Sequence, residues 1–409
     1  MEYNLYELEN GIRVIHKPIK NRVAHCGFII NTGTRDEKIK ENGLAHFIEH
    51  SIFKGTQHRK AHHILNRIDN VGGELNAYTT KEKTCVYASF TTEYFERATE
   101  LLSDILFNST YPEKEIEKEK DVIIDEIYSY QDSPFEQIYD DFEELIFKNH
   151  PLGMNILGTV DSVKSFNRES ILKFIDRNFA TNKIIFSVVG DFTEKKIKTI
   201  IDKYLNQPLK TSSSKKRTRF TNYNVFTKEI EKDNYQAHYM LGNVAYSSKD
   251  KNNTGFILLN NILGGPAMNS RLNMGIREKY GFTYNIESSY TSYTDSGLFS
   301  IYLGTDTKHL EKSIALVHKE LNLLRVKKLS ASQLQKAKQQ LIGQITLSEE
   351  SKVNVMLGMG KSLLFFNKVD SLETVYNKIN KLTSENIIDI ANEVFAKDQL
   401  SSLIYKPTK

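Results

Sequence analysis

Apolar and polar positions alternate near the start of the chain, in Ile12-Arg13-Val14-Ile15-His16 and Ala24-His25-Cys26-Gly27-Phe28-Ile29-Ile30, and predict two strands split by a polar Lys20-Asn21-Arg22 turn. Past Asn31-Thr32-Gly33-Thr34-Arg35 the period lengthens to three and four. Leu44, Phe47, Ile48 and Phe53 mark the apolar side of a helix for which Gly55 is the expected C-cap. A second helix is expected from about Ala61 to Asn70, stopped by Gly72-Gly73. Glu74 to Thr80 and Thr84 to Phe90, rich in β-branched and aromatic residues, then read as paired strands.

Helical periodicity returns from about Thr92 to Phe107 and breaks at Tyr111-Pro112. The next helix, about Glu113 to Gln131, has a buried stripe of Ile116, Glu119, Ile123, Glu126, Ile127 and Tyr130. Two carboxylates thus stand where apolar side chains belong, and burying a carboxylate unpaired is costly, so each needs a partner. The alternative is a stripe displaced by one residue, since Glu115, Glu117, Lys118, Lys120 and Asp121 occupy the other sides. Helices continue to Phe147 and from Ser170 to Phe179, Lys183 to Gly190 is a buried strand, and Glu194 to Leu205 is a helix.

A chain of 409 residues exceeds one ordinary core and implies two domains. The polar, small and basic run from Pro208 to Arg217 reads as a linker, giving a domain at 1–207, a linker at 208–222 and a second domain at 223–409. The second half partly repeats the first. Ala237-His238-Tyr239 matches Ala24-His25-Cys26, and Thr254 to Gly265 matches the first helix, with Leu258, Asn261 and Ile262 at the positions of His46, Glu49 and His50.

Hydrophobic content of 39% with 26% charged residues is that of a soluble globular protein, and a net charge of +4 with no basic, aromatic-interleaved stripe implies no nucleic-acid partner. No apolar run is long enough for a membrane span, and the first residues lack the basic and apolar regions of a signal peptide. Cys26 and Cys85, the two cysteines, sit in strand-like runs and are expected as buried thiols of a reducing compartment. A cytoplasmic location follows, or a periplasmic one if an export segment has been removed.

The chemistry concentrates in Gly43-Leu44-Ala45-His46-Phe47-Ile48-Glu49-His50-Ser51-Ile52-Phe53. Residues three and four apart are neighbours on a helix, so His46, Glu49 and His50 share one side. Two imidazoles so spaced can chelate zinc, and a carboxylate beside them can take a proton from water activated by the metal. The plain alternative is a helix with two satisfied histidines. His58 and His62 have the same spacing among Arg59, Lys60 and His63, but with no carboxylate in that turn they read as a solvated face.

These residues resemble the pitrilysin/insulinase family of zinc peptidases, in particular its half-length, processing-peptidase-like bacterial branch. The inverted motif His-x-x-Glu-His is a hallmark of that family. Gly72-Gly73-Glu74-Leu75-Asn76-Ala77-Tyr78-Thr79, Val122 to Ile127, Pro151-Leu152-Gly153, Leu263-Gly264-Gly265, Ser270-Arg271-Leu272, Ile276 to Gly281 and Tyr284 are also similar to it. The resemblance implies an α+β fold of two duplicated sandwich domains, each an antiparallel-rich sheet with helices packed on one face. It implies one zinc ion per chain held by His46, His50 and Glu126, with Glu119 supporting the ligands and Glu49 as general base. Asn76 and Ala77 would lie on the strand that pairs with an extended peptide substrate. Arg277 and Tyr284 match a pair that stabilises the oxyanion from the opposing half; by themselves they read as a surface arginine and a strand tyrosine. A half-length chain carrying both sets implies a homodimer acting on unfolded peptides. The other readings are a catalytic subunit that needs a non-identical partner and a non-catalytic core subunit.

Overall fold

The sequence pattern of the first half becomes fourteen labelled elements in the computed structural model, which describes residues 3–206 and 216–408. They are β1 (Asn4–Glu7), β2 (Arg13–Pro18), β3 (Val23–Ile30), α1 (Leu44–Ser51), α2 (Ala61–Asp69), β4 (Glu74–Thr79), β5 (Thr84–Thr91), α3 (Phe95–Phe107), α4 (Glu113–Gln131), α5 (Pro134–Ile146), α6 (Val160–Ser165), α7 (Arg168–Asn178), β6 (Ile184–Gly190) and α8 (Glu194–Leu205). The second half forms β7 (Thr227–Lys232), β8 (Ala237–Ala245), α9 (Asn253–Gly264), β9 (Thr283–Ser292), β10 (Gly297–Thr305), α10 (Leu310–Val326), α11 (Ala331–Ser348), α12 (Lys352–Phe366), α13 (Leu372–Asn380), α14 (Ser384–Val394) and β11 (Ser401–Pro407).

The chain divides into two α+β units, neither continuous in sequence. The first takes the described residues of Met1–Tyr128, Met154–Arg217 and Leu347–Ser371; the second takes those of Ser129–Gly153, Thr218–Thr346 and Leu372–Lys409. A single division at 208–222 does not describe these units, because α5 belongs to the second and α12 to the first. The expected linker lies outside the described residues up to Lys215. Arg217 is described, and its guanidinium donates to the Asp36 carboxylate at 2.8 and 3.1 Å and to the Glu82 carbonyl at 2.7 Å.

In the first unit six strands run in the order β1-β2-β6-β3-β5-β4, with β2 and β6 parallel and the other pairs antiparallel. One face packs Phe28, Val86, Phe90 and Phe186 against Phe47 of α1, Leu101 and Leu102 of α3 and Phe174 of α7. The sequence leads one to expect helices on one face only, but here the opposite face is covered too. Met356, Met359 and Leu363 of α12 pack on Ile15, Ile29, Ile185 and Val189, and Ser187 Oγ donates to the Met356 carbonyl at 2.7 Å. Helix and sheet approach closely at Gly360, where an added Cβ would stand 2.4 Å from Ile29. All seven residues of β6 are buried, as a strand covered on both faces must be.

The second unit has five strands in the order β7-β11-β8-β10-β9, again with one parallel pair, β7 with β11. Matching β2, β6, β3, β5 and β4 to β7, β11, β8, β10 and β9 reproduces every neighbour and every direction, so the weak repeat in the sequence is a repeat of topology. Here α5 covers one sheet face through Ile138 and Phe142 against Met240, Leu403 and Tyr405. Tyr405 Oη donates to Asp141 at 2.5 Å, and Tyr293 Oη bonds Glu143. The other face packs on α9, α10 and α14.

Candidate metal centre

Helix α1 starts at Gly43, whose φ of +91° is left-handed and where an added Cβ would stand 2.5 Å from the Leu157 carbonyl oxygen, so glycine is required. The Glu37 carboxylate accepts the Gly43 and Ala45 backbone N–H groups at 2.9 and 2.7 Å, satisfying donors that a helix start leaves free. Burial pushes the Glu37 carboxyl up to about 8, against the pull of the bonds from Ala45, Gly43 and Asn42 and of the Lys81 charge. The helix ends sooner than its apolar pattern suggested. It stops at Ser51, where Ser51 Oγ bonds the Phe47 carbonyl and the Ile52 N–H bonds that of Ile48. Gly55 is therefore not its cap; with φ of +154° it pairs with Lys60 in a β-bridge.

The His46 and His50 rings project side by side with centroids 4.6 Å apart. Their Nε2 atoms lie 3.9 and 3.8 Å from Oε2 of Glu126 on α4, and the three possible ligand atoms all fall within 4.8 Å of one another. Metal bonds of about 2.0–2.1 Å at a tetrahedral angle put neighbouring ligand atoms roughly 3.3–3.4 Å apart, so a small inward movement fits the three around zinc. These contacts are too long for hydrogen bonds, so the three atoms converge on a point rather than on each other. The nitrogen, nitrogen, oxygen set is the donor chemistry zinc takes at catalytic sites.

The carboxylate stripe of α4 is real, with one change at its end. Ile116, Glu119, Ile123 and Ile127 are buried, Glu126 is half-buried, and Tyr130 is exposed because α4 has by then left the core. Glu119 has the partners its burial demands: His50 Nδ1 donates to its Oε1 at 2.8 Å, and Lys54 Nζ meets its Oε2 at 2.6 Å. Burial alone would raise the Glu119 carboxyl, but these bonds and charges hold it below its ordinary value. Burial likewise disfavours the charged form of His50, yet the Glu119 bond and the Glu119, Glu126 and Glu49 charges outweigh it and raise the imidazole. His46 goes the other way, down to about 3, through burial and then the neighbouring His50 charge.

Glu49 lies on the same side of α1, only 9% exposed, and among the described residues its Oε2 has no hydrogen-bond partner. Burial raises its carboxyl, while a hydrogen bond from Thr79 and the His50 charge oppose that rise. The same strand, β4, carries Asn76, which is exposed, and half-buried Ala77; they pair with Tyr87 and Val86 of β5. On its other side β4 is an edge of the sheet.

In the second unit Arg277 lies in a short π-helical turn, Asn273–Glu278, and its guanidinium carbon stands 5.0 Å over the ring of Tyr284, which is 77% exposed. Both line a cavity of about 520 Å³ with Gln236, Phe282, Lys308 and His309. The π turn and a register shift at Gly304/Thr305 flank that cavity, and such irregularities recur where a backbone aims a functional side chain. The structure thus brings His46, Glu49, His50, Glu119 and Glu126 together in the first unit, and Arg277 with Tyr284 in the second.

Sequence reasoning missed Lys54, whose partner Glu119 is distant in the chain, and Glu37, whose carboxylate reaches forward across a loop to the start of α1. His58 and His62 are exposed, as a solvated face requires, and Asp104 of α3 meets His58 Nδ1 at 2.6 Å and also binds Thr56 and Arg59. Cys26 and Cys85 are both buried and unbridged.

Residues 13–160 match the family model described as insulinase (peptidase family M16), and residues 165–341 match the one described as the peptidase M16 inactive domain. A Bacillus subtilis (strain 168) protein named an uncharacterized zinc protease is 33% identical over 403 residues, covering 98% of this chain and 97% of its own. The mitochondrial-processing peptidase subunit beta of Saccharomyces cerevisiae is 30% identical over 406 residues, covering 94% of this chain and 87% of its own. The chain belongs to the insulinase (M16) peptidase family. Two solved structures share the fold: a peptidase M16 inactive domain from Pseudomonas fluorescens, with a TM-score of 0.92, 19% identity and 100% and 99% of the two chains covered, and a protease from Helicobacter pylori, with a TM-score of 0.90, 22% identity and 99% of each covered. Among the described residues no helix is long and apolar enough to cross a membrane.

Proposed function

We propose that this chain is a zinc peptidase that hydrolyses unfolded peptides. The observation that carries the reading is the convergence of His46 Nε2, His50 Nε2 and Glu126 Oε2 beside the buried carboxylate of Glu49, whose Oε2 has no hydrogen-bond partner among the described residues. His46, His50 and Glu126 would hold one zinc ion per chain, which when bound would supply a Lewis acid and lower the pKa of its water toward about 7. Glu49 accepts the proton of the attacking water and passes it to the leaving amine. Glu119, paired with Lys54, receives the Nδ1–H of His50 and so fixes the tautomer that leaves Nε2 free. The open edge of β4 at Asn76 and Ala77 offers its main chain to an extended peptide, which explains tolerance of many side chains. The Tyr284 hydroxyl, with Arg277 against its ring, stabilises the oxyanion in a homodimer whose copies complete each other's sites. In this reading neither nucleic acid nor membrane takes part, and the protein works in the cytoplasm or, if an export segment has been removed, in the periplasm. The similarity to a processing-peptidase beta subunit supports a second reading, in which a non-identical partner supplies the completing half. Native mass measurement of the active species separates the two.

A quenched-fluorescent peptide pool tests the reading. Hydrolysis is expected, lost on treatment with a zinc chelator and restored by one equivalent of zinc; hydrolysis that survives complete removal of metal overturns it.

Acid should release the metal early. Zinc requires a neutral His50, and a raised imidazole holds its proton up to a higher pH than an ordinary one, so competition begins above about 6.5 as pH falls. Glu119→Gln removes the largest raising influence, so the pH below which zinc affinity begins to fall should move lower, while the affinity on the plateau above it drops about 10–100-fold. Zinc dissociation constants measured across pH with a chelating competitor read both; an unmoved break in the pH profile contradicts the assignment.

A further inference from the structure

The cavity beside Arg277 and Tyr284 holds about 520 Å³, within the range of about 300–1,000 Å³ that small-ligand sites span. Its polar groups divide into those already spent and those still free. Thr283 Oγ1 bonds the Gly304 carbonyl and Thr305 Oγ1 the Phe282 carbonyl, both at 2.6 Å, so the floor satisfies itself. Asp306 accepts the Lys308 N–H and pairs with Lys308 Nζ, both at 3.0 Å. Arg277 is different. Among the described residues its guanidinium makes no hydrogen bond: Glu278 Oε1 stands 3.7 Å from Nε, beyond bonding distance, and on the side away from the terminal nitrogens. The face of the guanidinium is engaged by the Tyr284 ring, which leaves its N–H edge open.

A planar edge of donors with nothing to donate to matches a carboxylate. Two neighbours add to the match. His309 is the N-cap of the 17-residue α10 and makes no side-chain cap, so the positive end of that helix meets the cavity wall. The His309 ring also stacks on Phe282 with centroids 4.4 Å apart, and Phe282 stacks on Tyr280 at 5.2 Å, which gives the wall an aromatic surface.

We infer that this cavity is a carboxylate subsite: the free edge of Arg277, with Lys308 and the start of α10 around it, holds a carboxylate of a peptide, and the Phe282–His309 wall takes an apolar side chain next to it. The carboxylate is that of a peptide C-terminus or of an acidic side chain. The inference rests on the peptidase reading for its ligand being a peptide, but not for the choice of carboxylate over amide. That choice follows from the donors. An amide offers one oxygen and turns its own N–H groups toward a guanidinium that can only donate.

Zinc-loaded Glu49→Gln protein reads peptide binding without turnover. A fluorescent peptide ending in phenylalanine is compared as free acid and as C-terminal amide, and an amidated peptide ending in glutamate is compared with its glutamine version. One of the two carboxylate forms should bind about tenfold more tightly than its neutral counterpart, and which one does so identifies the source. Arg277→Gln should bring that ratio to about one while the neutral peptides keep their affinity within about threefold. Equal binding within both pairs overturns the inference, and so does a preference that survives Arg277→Gln. A second probe needs no peptidase. In protein labelled with 3-fluorotyrosine, the Tyr284 fluorine resonance, assigned by its loss in Tyr284→Phe, should move on adding N-acetylphenylalanine and stay in place with N-acetylphenylalanine amide. If the wild-type protein cleaves no peptide, the peptidase reading falls, and this resonance still decides whether the cavity takes a carboxylate; a resonance that ignores the acid overturns the inference.

Discussion

Glu49→Gln should lower peptide hydrolysis by about a thousandfold while one zinc per chain remains bound. The substitution is nearly isosteric, so the packing of the buried side chain survives. What disappears is the ability to take a proton. His46 and His50 are on either side of Glu49 in the sequence, but their Nε2 atoms point at Glu126, so the metal set should be untouched. Steady-state rates with a quenched peptide, measured beside zinc content, separate the two roles. Residual activity within about tenfold of wild type removes Glu49 from the chemistry.

Glu126→Ala acts on the other half of the site and should cost zinc itself. Two imidazoles on one helix turn make an incomplete set, and the third donor comes from α4. Removing a supporting partner such as Glu119 weakens metal binding by about 10–100-fold, and removing a direct ligand should weaken it by more. Competition against a chelating dye gives both numbers. Equal losses for Glu119→Ala and Glu126→Ala would mean that Glu126 is not a ligand, and an unchanged affinity in Glu126→Ala would remove it from the site altogether.

Much of this centre was legible because its signals are local. The spacing of His46, Glu49 and His50 follows from helix geometry, and the misfit of Glu119 and Glu126 in an apolar stripe announced that α4 faced something polar. Lys54 was not legible, because an ammonium at a loop position has no pattern of its own. Lys54 acquires its meaning from the turn of α4 that presents Glu119. The fold shows the same contrast. The strands Val23–Ile30, Thr84–Thr91 and Ile184–Gly190 follow from their β-branched and apolar runs. That α12 covers the first sheet and α5 the second does not follow, since an amphipathic helix announces an apolar face but not which sheet it lies on. One clue was present: a run as uniformly apolar as Ile184 to Gly190 is a strand that expects cover on both sides.

Diffraction from crystals of the zinc-loaded protein, with data collected on either side of the zinc absorption edge, tests the central claim most directly. A single anomalous peak per chain is expected, bounded by His46 Nε2, His50 Nε2 and Glu126 Oε2. A peak elsewhere, or one bounded by the histidines with Glu126 turned away, contradicts the account.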